Sequence, residues 1–319
     1  MFEQKKFIVS HAPFWHNGSS VAERNYNIIV AALPAALFGL TQYGAQAPAV
    51  LCLSVSSAMI WELIANRATK RPETLGDGNA ALIGLLFGML LPAASPWWLV
   101  ITGTFVAVIV GKQIFGGIGG NPFNPALIGY GILLISWPNR FDFNAALVNF
   151  EFGFDTAFPL WVAKYFGTAE LDTFTAWNLL SGQQIGGIGS TFGLGLIAGG
   201  IYLIVRGFIR WEISLSYLAG IFVTAFLFNI ANPDQYAGPF FHMFTGFTLL
   251  AAFFLATDDA SSPVNFIPML IYGAGCGMLT ILIRNIGVYV EGTAFAIIVM
   301  NCANPLLDRI RPKAVGKVV

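Results

Sequence analysis

Long apolar stretches recur along nearly the whole 319-residue chain, and no other feature limits its folds so severely. They lie at about 25–44, 48–65, 79–95, 97–115, 122–137, 190–206, 213–231, 239–256, 267–284 and 291–307. A bilayer core of about 30 Å is crossed by roughly 20 helical residues, so most of these runs are long enough to span it. The third and fifth are short and rich in Gly or Pro. Composition agrees: 56% of residues are hydrophobic, 10% are charged and the mean hydropathy is +0.70, too little polarity to cover a water-soluble surface. The expected fold is an all-α polytopic membrane protein of about ten transmembrane helices.

An even number of spans returns the C-terminus to the side of the N-terminus. Lys5, Lys6, Arg67, Lys70, Arg71, Arg206, Arg210, Arg309, Arg311 and Lys313 then share one side, which the positive-inside rule makes cytoplasmic. Arg140, Lys164 and Arg284 fall on the other side, so the fit is imperfect. The first 23 residues lack a signal peptide's apolar core and cleavage site and read as a cytoplasmic segment. The expected division is a cytoplasmic segment at 1–24, a first transmembrane repeat at 25–137, an extracytoplasmic hydrophilic loop at 138–189, a second transmembrane half at 190–307 and a cytoplasmic tail at 308–319. A formal charge of zero and scattered basic residues argue against nucleic-acid binding. Cys52, Cys276 and Cys302 lie singly in apolar segments and match neither a zinc pattern nor an iron–sulfur ligand set.

Residues 115–130, FGGIGGNPFNPALIGY, contain a GxGxxG-like run. A dinucleotide site would place that run between a strand and an amphipathic helix. Here it follows VITGTFVAVIVGKQI, too long for an ordinary strand, and leads into another apolar span, so the dinucleotide reading fails on context. The segment also belongs to an internal echo. Gly103, Lys112, Gly117 and Asn124–Ala126 correspond to Gly275, Arg284, Gly287 and Ala294–Ala296, with the basic residue nine positions after glycine in both. The echo is read as two parallel, pseudo-two-fold repeats containing broken or Gly-rich helices.

Each singled-out residue has two readings. The glycines either let helices pack closely or free helix ends to face a cofactor. Lys112 and Arg284 either snorkel to headgroups or anchor a phosphate or a buried carboxylate. Asn121 and Asn124, beside Pro122 and Pro125, either satisfy helix ends or hydrogen-bond a ring. Asp77 is a helix cap or a cofactor or ion contact, Asp258 and Asp259 a solvated cap, and His242 a structural histidine or a flavin neighbour. No histidine pair has metal- or haem-ligand spacing.

GDGNAALIGLLFGMLLP at 76–92, GKQIFGGIGGNPFNPA at 111–126, GPFFHMFTGFTLLAAFFLATD at 238–258 and EGTAFAIIVMNCANPLLD at 291–308 resemble the signature segments of the RnfD and NqrB family. The similarity runs through nearly the whole chain in order, and its size resembles RnfD more than NqrB. The resemblance implies a flavin-carrying subunit of an electron-transfer complex in a bacterial or archaeal cytoplasmic membrane, coupled to sodium or proton translocation. Its implied partners are other Rnf-like subunits, including iron–sulfur and flavoprotein subunits that handle ferredoxin and NAD, together with membrane lipid. The residues assigned to the cofactor are Lys112, Gly116, Gly117, Gly119, Gly120, Asn121, Asn124, Asp77 and Thr156.

One segment departs from the family pattern. Members attach FMN by a phosphoester to a threonine in a stretch ending ATPL, and DTAFPL at 155–160 puts Phe158, which has no hydroxyl, at that place. Thr156 and Thr175 are the alternative acceptors. The expectation is therefore FMN held noncovalently, with riboflavin as an alternative. The competing functions are a flavin-free scaffold or ion-path subunit, and a secondary transporter.

Overall fold

The computed structural model describes residues 20–146, 150, 152, 157–171 and 173–311, and among them the regular elements are helical, with no strand. Helix α1 (Val21–Gln42) opens with a side-chain N-cap, the Ser20 hydroxyl accepting from the Glu23 N–H at 3.1 Å. Helix α2 (Gln46–Ala68) returns beside it, followed by the shorter α3 (Asn79–Leu90). Helix α4 (Trp97–Phe105) widens into a π-turn at Val106–Val110, and α5 spans Pro125–Ser136. Two short helices follow, α6 (Pro159–Phe166) and α7 (Ala176–Ser181), and the second half then runs through α8 (Gly193–Val205) and α9 (Trp211–Ala231). The eighth apolar run is broken into α10 (Pro239–Phe244), α11 (Thr248–Leu250) and a π-turn at Ala251–Leu255; α12 (Phe266–Asn285) and α13 (Thr293–Leu307) complete the bundle.

Four segments, Gln46–Ala68, Trp97–Phe115, Trp211–Ala231 and Phe266–Asn285, are long and apolar enough to cross a membrane on their own. At 12 residues each, α3 and α5 reach only about 18 Å. Non-helical backbone at membrane depth is tolerated only where protein covers and satisfies it. Here the chain at 186–191 does so: Ile188 N–H donates to Leu91 O at 3.1 Å and Gly189 N–H to Met89 O at 3.0 Å, closing the C-terminal end of α3. Close helix packing joins α9 and α12, where a β-carbon at Gly277 would fall 2.3 Å from the Tyr217 carbonyl oxygen. Only glycine permits that approach.

Hydrogen bonds sort the connections into two ends of the bundle. At the first end, Asn25 reaches Asp77 O, Arg24 reaches Phe208 O, Arg71 reaches Gly116 O and Asn304 reaches Ser261 O. At the second, Gln42 reaches Gln184 O, Thr168 reaches Asp234 O and Lys164 reaches Gly287 O. Successive long segments alternate between these ends, and the outer ends of α1 and α13 both lie at the first. Lys112 stands at the first end beside Arg71 and Gly116, whereas its counterpart Arg284 stands at the second beside His242. The repeats are therefore inverted, not parallel. The reason is arithmetic: five crossings per half is an odd number, so the second half starts on the opposite side and runs through the layer in the opposite sense.

Candidate functional site

At the first end, the segment expected to hold a cofactor divides between two places. Gly116, Gly117 and Gly119 adopt φ of 108°, 105° and 82°, a region that favours glycine, and a β-carbon at each would meet open space. This loop borders a cavity of about 140 Å³ that also contains Glu62, Asn66, Arg71, Thr74 and Lys112. Lys112 is 1% exposed, and its Nζ lies 2.7 Å from Glu62 Oε1. The basic group is thus neutralised by a buried carboxylate, which in turn accepts from the Thr74 hydroxyl at 2.6 Å. Gly120 is exposed and packs on the Phe115 carbonyl.

Asn121 and Asn124 face a separate polar cavity of about 50 Å³, shared with Arg24, Asn25, Asn79 and Asp258. Asn124 is the N-cap of α5, its Oδ1 accepting from Ala126 N–H at 3.0 Å and Leu127 N–H at 3.3 Å, and its Nδ2 donates to Leu255 O at 2.9 Å. One side chain thus closes a helix start and satisfies a carbonyl of the second π-turn. Asn121 donates to Phe123 O at 3.0 Å and to Asp258 Oδ2 at 3.4 Å. Asp77 caps the Asn79 N–H at 2.8 Å. Burial raises the Asp77 carboxyl above its ordinary range, opposed by that N–H and by Lys112. Burial likewise raises Asp258, against the pull of the Ser261 hydroxyl. The polar groups at this end are therefore engaged chiefly with the protein itself.

At the second end, Arg284 is 3% exposed and donates through Nη1 to His242 O at 3.0 Å and through Nη2 to Thr248 Oγ1 at 3.0 Å and Glu291 Oε1 at 2.8 Å. Glu291 also accepts from Phe247 N–H at 3.1 Å and from the Thr293 hydroxyl. Beside this pair opens a cavity of about 340 Å³ walled by aromatic side chains, among them Tyr130, Phe141, Phe143, Phe158, Trp161 and Tyr289. Phe158 starts α6, ahead of Pro159, with its N–H donating to Asn144 Oδ1 at 2.7 Å; its buried ring lies 5.0 Å from that of Phe143, centroid to centroid. Of the alternative acceptors, Thr175 is the N-cap of α7, accepting from Asn178 N–H at 3.3 Å, and Thr156 lies outside the described residues.

Residues 8–316 match the profile of a family described as NQR2, RnfD, RnfE. The chain belongs to that family. It is 37% identical over 305 residues to the D-type subunit of the Na(+)-translocating ferredoxin:NAD(+) oxidoreductase complex of Acetobacterium woodii, covering 94% of this chain and 92% of that one. It is 34% identical over 312 residues to the D-type subunit of the proton-translocating ferredoxin:NAD(+) oxidoreductase complex of Clostridium ljungdahlii, covering 95% and 94%. It is also 34% identical over 346 residues to the D-type subunit of the ion-translocating oxidoreductase complex of Pectobacterium atrosepticum, covering 97% and 99%. This family member is thus a multi-pass membrane protein whose sequence signatures fall at both ends of the bundle.

Two features of the site escaped the sequence reading. Glu62 and Glu291 were missed as partners, although a lone glutamate inside the apolar AMIWELIAN run signals a buried counter-charge. The aromatic cavity has no local signal, because its wall is assembled from α5, the 137–144 turn, α6 and the 286–292 turn.

Proposed function

We propose that this chain is the D-type membrane subunit of an ion-translocating ferredoxin:NAD oxidoreductase complex and works together with iron–sulfur and flavoprotein subunits. The observation that carries this reading is full-length similarity to relatives of that description, one sodium-translocating and one proton-translocating. The coupling ion therefore does not follow from likeness. The first end is assigned to the cytoplasm of a bacterial or archaeal cell membrane, because Arg67, Lys70, Arg71, Arg206, Arg210 and Arg309 belong to that end. Arg284 does not count against this orientation, since its charge is buried in a pair and is not a loop charge.

The flavin that the family implies has one excluded and one suitable attachment at the second end. A phosphoester through position 158 does not fit: phenylalanine offers no oxygen. A noncovalently stacked ring does fit the aromatic cavity, whose walls carry Tyr130, Phe143, Phe158 and Tyr289. Among the described residues no Lys or Arg lines that cavity, while Asp142 and Glu291 do, so riboflavin suits it better than the phosphate of FMN. Flavin, when bound, supplies stable one- and two-electron states. The chain's own part is to hold the ring between aromatic faces and limit its contact with water. A second reading keeps flavin contact at Gly116, Gly117, Gly119 and Gly120 with Lys112, Asn121, Asn124 and Asp77, favoured by the open backbone of three left-handed glycines.

Purification of the tagged chain from its native membrane tests both levels. Co-purification of iron–sulfur and flavoprotein subunits is expected, and its failure would count against the complex. Denaturation is expected to release all visible flavin colour from this chain and leave its peptides unmodified. Colour retained on the chain would overturn noncovalent binding. Loss of flavin in Phe158→Ala, but not in Asn121→Ala/Asn124→Ala, would favour the aromatic cavity over the glycine loop.

A further inference from the structure

A small cavity at the second end is used neither by the flavin reading nor by the ion pair beside it. It has a volume of about 30 Å³ and is walled by Leu160 and Lys164 of α6, Gln235, His242 of α10, and Arg284 and Asn285 at the end of α12. Four buried side-chain nitrogens on these walls have no hydrogen-bond partner among the described residues: Nδ1 and Nε2 of His242, Nε of Arg284 and Nδ2 of Asn285. Buried polar groups are rarely left so, and four on one cavity point to an occupant.

The chemistry of the walls specifies its sign. Arg Nε–H and the Asn amide nitrogen can only donate, and an uncharged imidazole brings one donor and one acceptor, so donors outnumber acceptors. Charge is unbalanced in the same sense. Lys164 Nζ donates to Gly287 O at 2.6 Å and Tyr289 O at 2.8 Å, with no carboxylate paired to it among the described residues. The charge of Arg284 is already matched by Glu291, and no Asp or Glu among the described residues lines the cavity. Water could accept from the donors yet brings no negative charge to set against the half-buried Lys164 ammonium beside them. Size narrows the class further: a water-sized group needs roughly 10–15 Å³ of such space, so one or two such groups fit and a tetrahedral oxyanion does not.

We propose that this cavity binds a single monatomic anion, chloride, between Lys164, His242, Arg284 and Asn285. The anion joins α6 to α10 and α12. It also steadies the 286–292 turn, because Lys164 holds two carbonyls of that turn and Tyr289 forms a wall of the aromatic cavity. Burial lowers the Lys164 pKa, and a bound anion acts against that shift by favouring the charged ammonium. The site stands independently of the flavin and of the complex.

The test uses the full chain, purified with its partners into nanodiscs in sodium gluconate and titrated with sodium chloride at constant sodium and ionic strength. A saturable rise in the unfolding midpoint of roughly 3 °C is expected with chloride, and none with sulfate. Lys164→Met should remove the chloride step. A wild-type midpoint indifferent to chloride would mean that ordered water alone fills the cavity and would overturn the proposal; so would a chloride step that survives in Lys164→Met. Should that variant fail to assemble, crystals of the wild type grown in bromide decide by anomalous scattering. A peak between His242 and Asn285 supports the site, and no peak there overturns it.

Discussion

Lys112 and Arg284 occupy matched places in the two halves, each near the end of its half's fourth long segment, and each buries its charge against a glutamate. Their surroundings differ. Lys112 has one ion-pair contact, to a Glu62 that comes from α2, fifty positions away, and Glu62 Oε2 has no partner among the described residues. Arg284 binds a carboxylate seven positions away and ties it, through the guanidinium, to α10, α11 and α13. The repeat has therefore kept the electrostatic requirement, that a cation in a low-dielectric layer must be paired, without keeping the source of the partner. It has also made one pair multiply fastened and the other lean. The fastened pair lies between the aromatic cavity and the small donor-lined one, and the lean pair borders the open glycine loop.

Removing one partner at each place sharpens this contrast. The largest effect is expected for Arg284→Met, which strands Glu291 in the protein interior and should cost about 3–5 kcal/mol. The measurement is the thermal midpoint of the purified chain in detergent, and a midpoint equal to wild type would break the view of Arg284 as the anchor of the second end. Adding Glu291→Gln should recover only part of the loss, because the Phe247 and Thr293 contacts are altered as well.

Lys112→Met is expected to fall at the lower end of that range, about 3 kcal/mol. Here the companion change Glu62→Gln should restore most of the midpoint, since the Thr74 hydroxyl is the other partner of Glu62 among the described residues. Equal recovery in the two double variants would erase the distinction between a lean and a fastened pair.

A smaller loss, about 1–2 kcal/mol, is expected for Asn124→Ala, which removes a helix cap and the bond to Leu255 O together. Asn121→Ala should cost less, because its contacts are a nearby carbonyl and a long bond to Asp258. If the order is reversed, Asn121 does more at the first end than its geometry accounts for.

The smallest expected effect is one of pH at Asp258. Its folded carboxyl is raised by burial, so the folded chain keeps this proton where the unfolded chain has lost it. The stabilisation is full below the ordinary carboxyl pKa of about 3.9 and is lost as pH rises through the folded value. Midpoints measured upward from pH ~4 should therefore decline in wild type more steeply than in Asp258→Asn. An unchanged slope in the variant would assign the pH response to other groups.

Much of this molecule is legible in the order of its residues. Helical, membrane-crossing segments follow from apolar runs, since hydrophobicity and length act locally and need no partner. Asn124 before Pro125 reads as a helix start, and it is one. The basic residues Lys112 and Arg284 announce buried charge, because a cation among apolar neighbours must find an anion somewhere. What the residues could not tell is which anion, since Glu62 reaches Lys112 across fifty positions only when α2 lies beside the end of α4. The sense of the repeat was also a tertiary matter: matched letters look alike whichever way a half runs through the layer, and only the placement of Arg284 opposite Lys112 separates inverted from parallel. The aromatic cavity around Phe158 and the donor-lined cavity around Lys164 likewise exist only in three dimensions. Their walls come from segments distant in the chain, and burial, charge balance and volume are properties of the assembled walls, not of any one stretch of sequence.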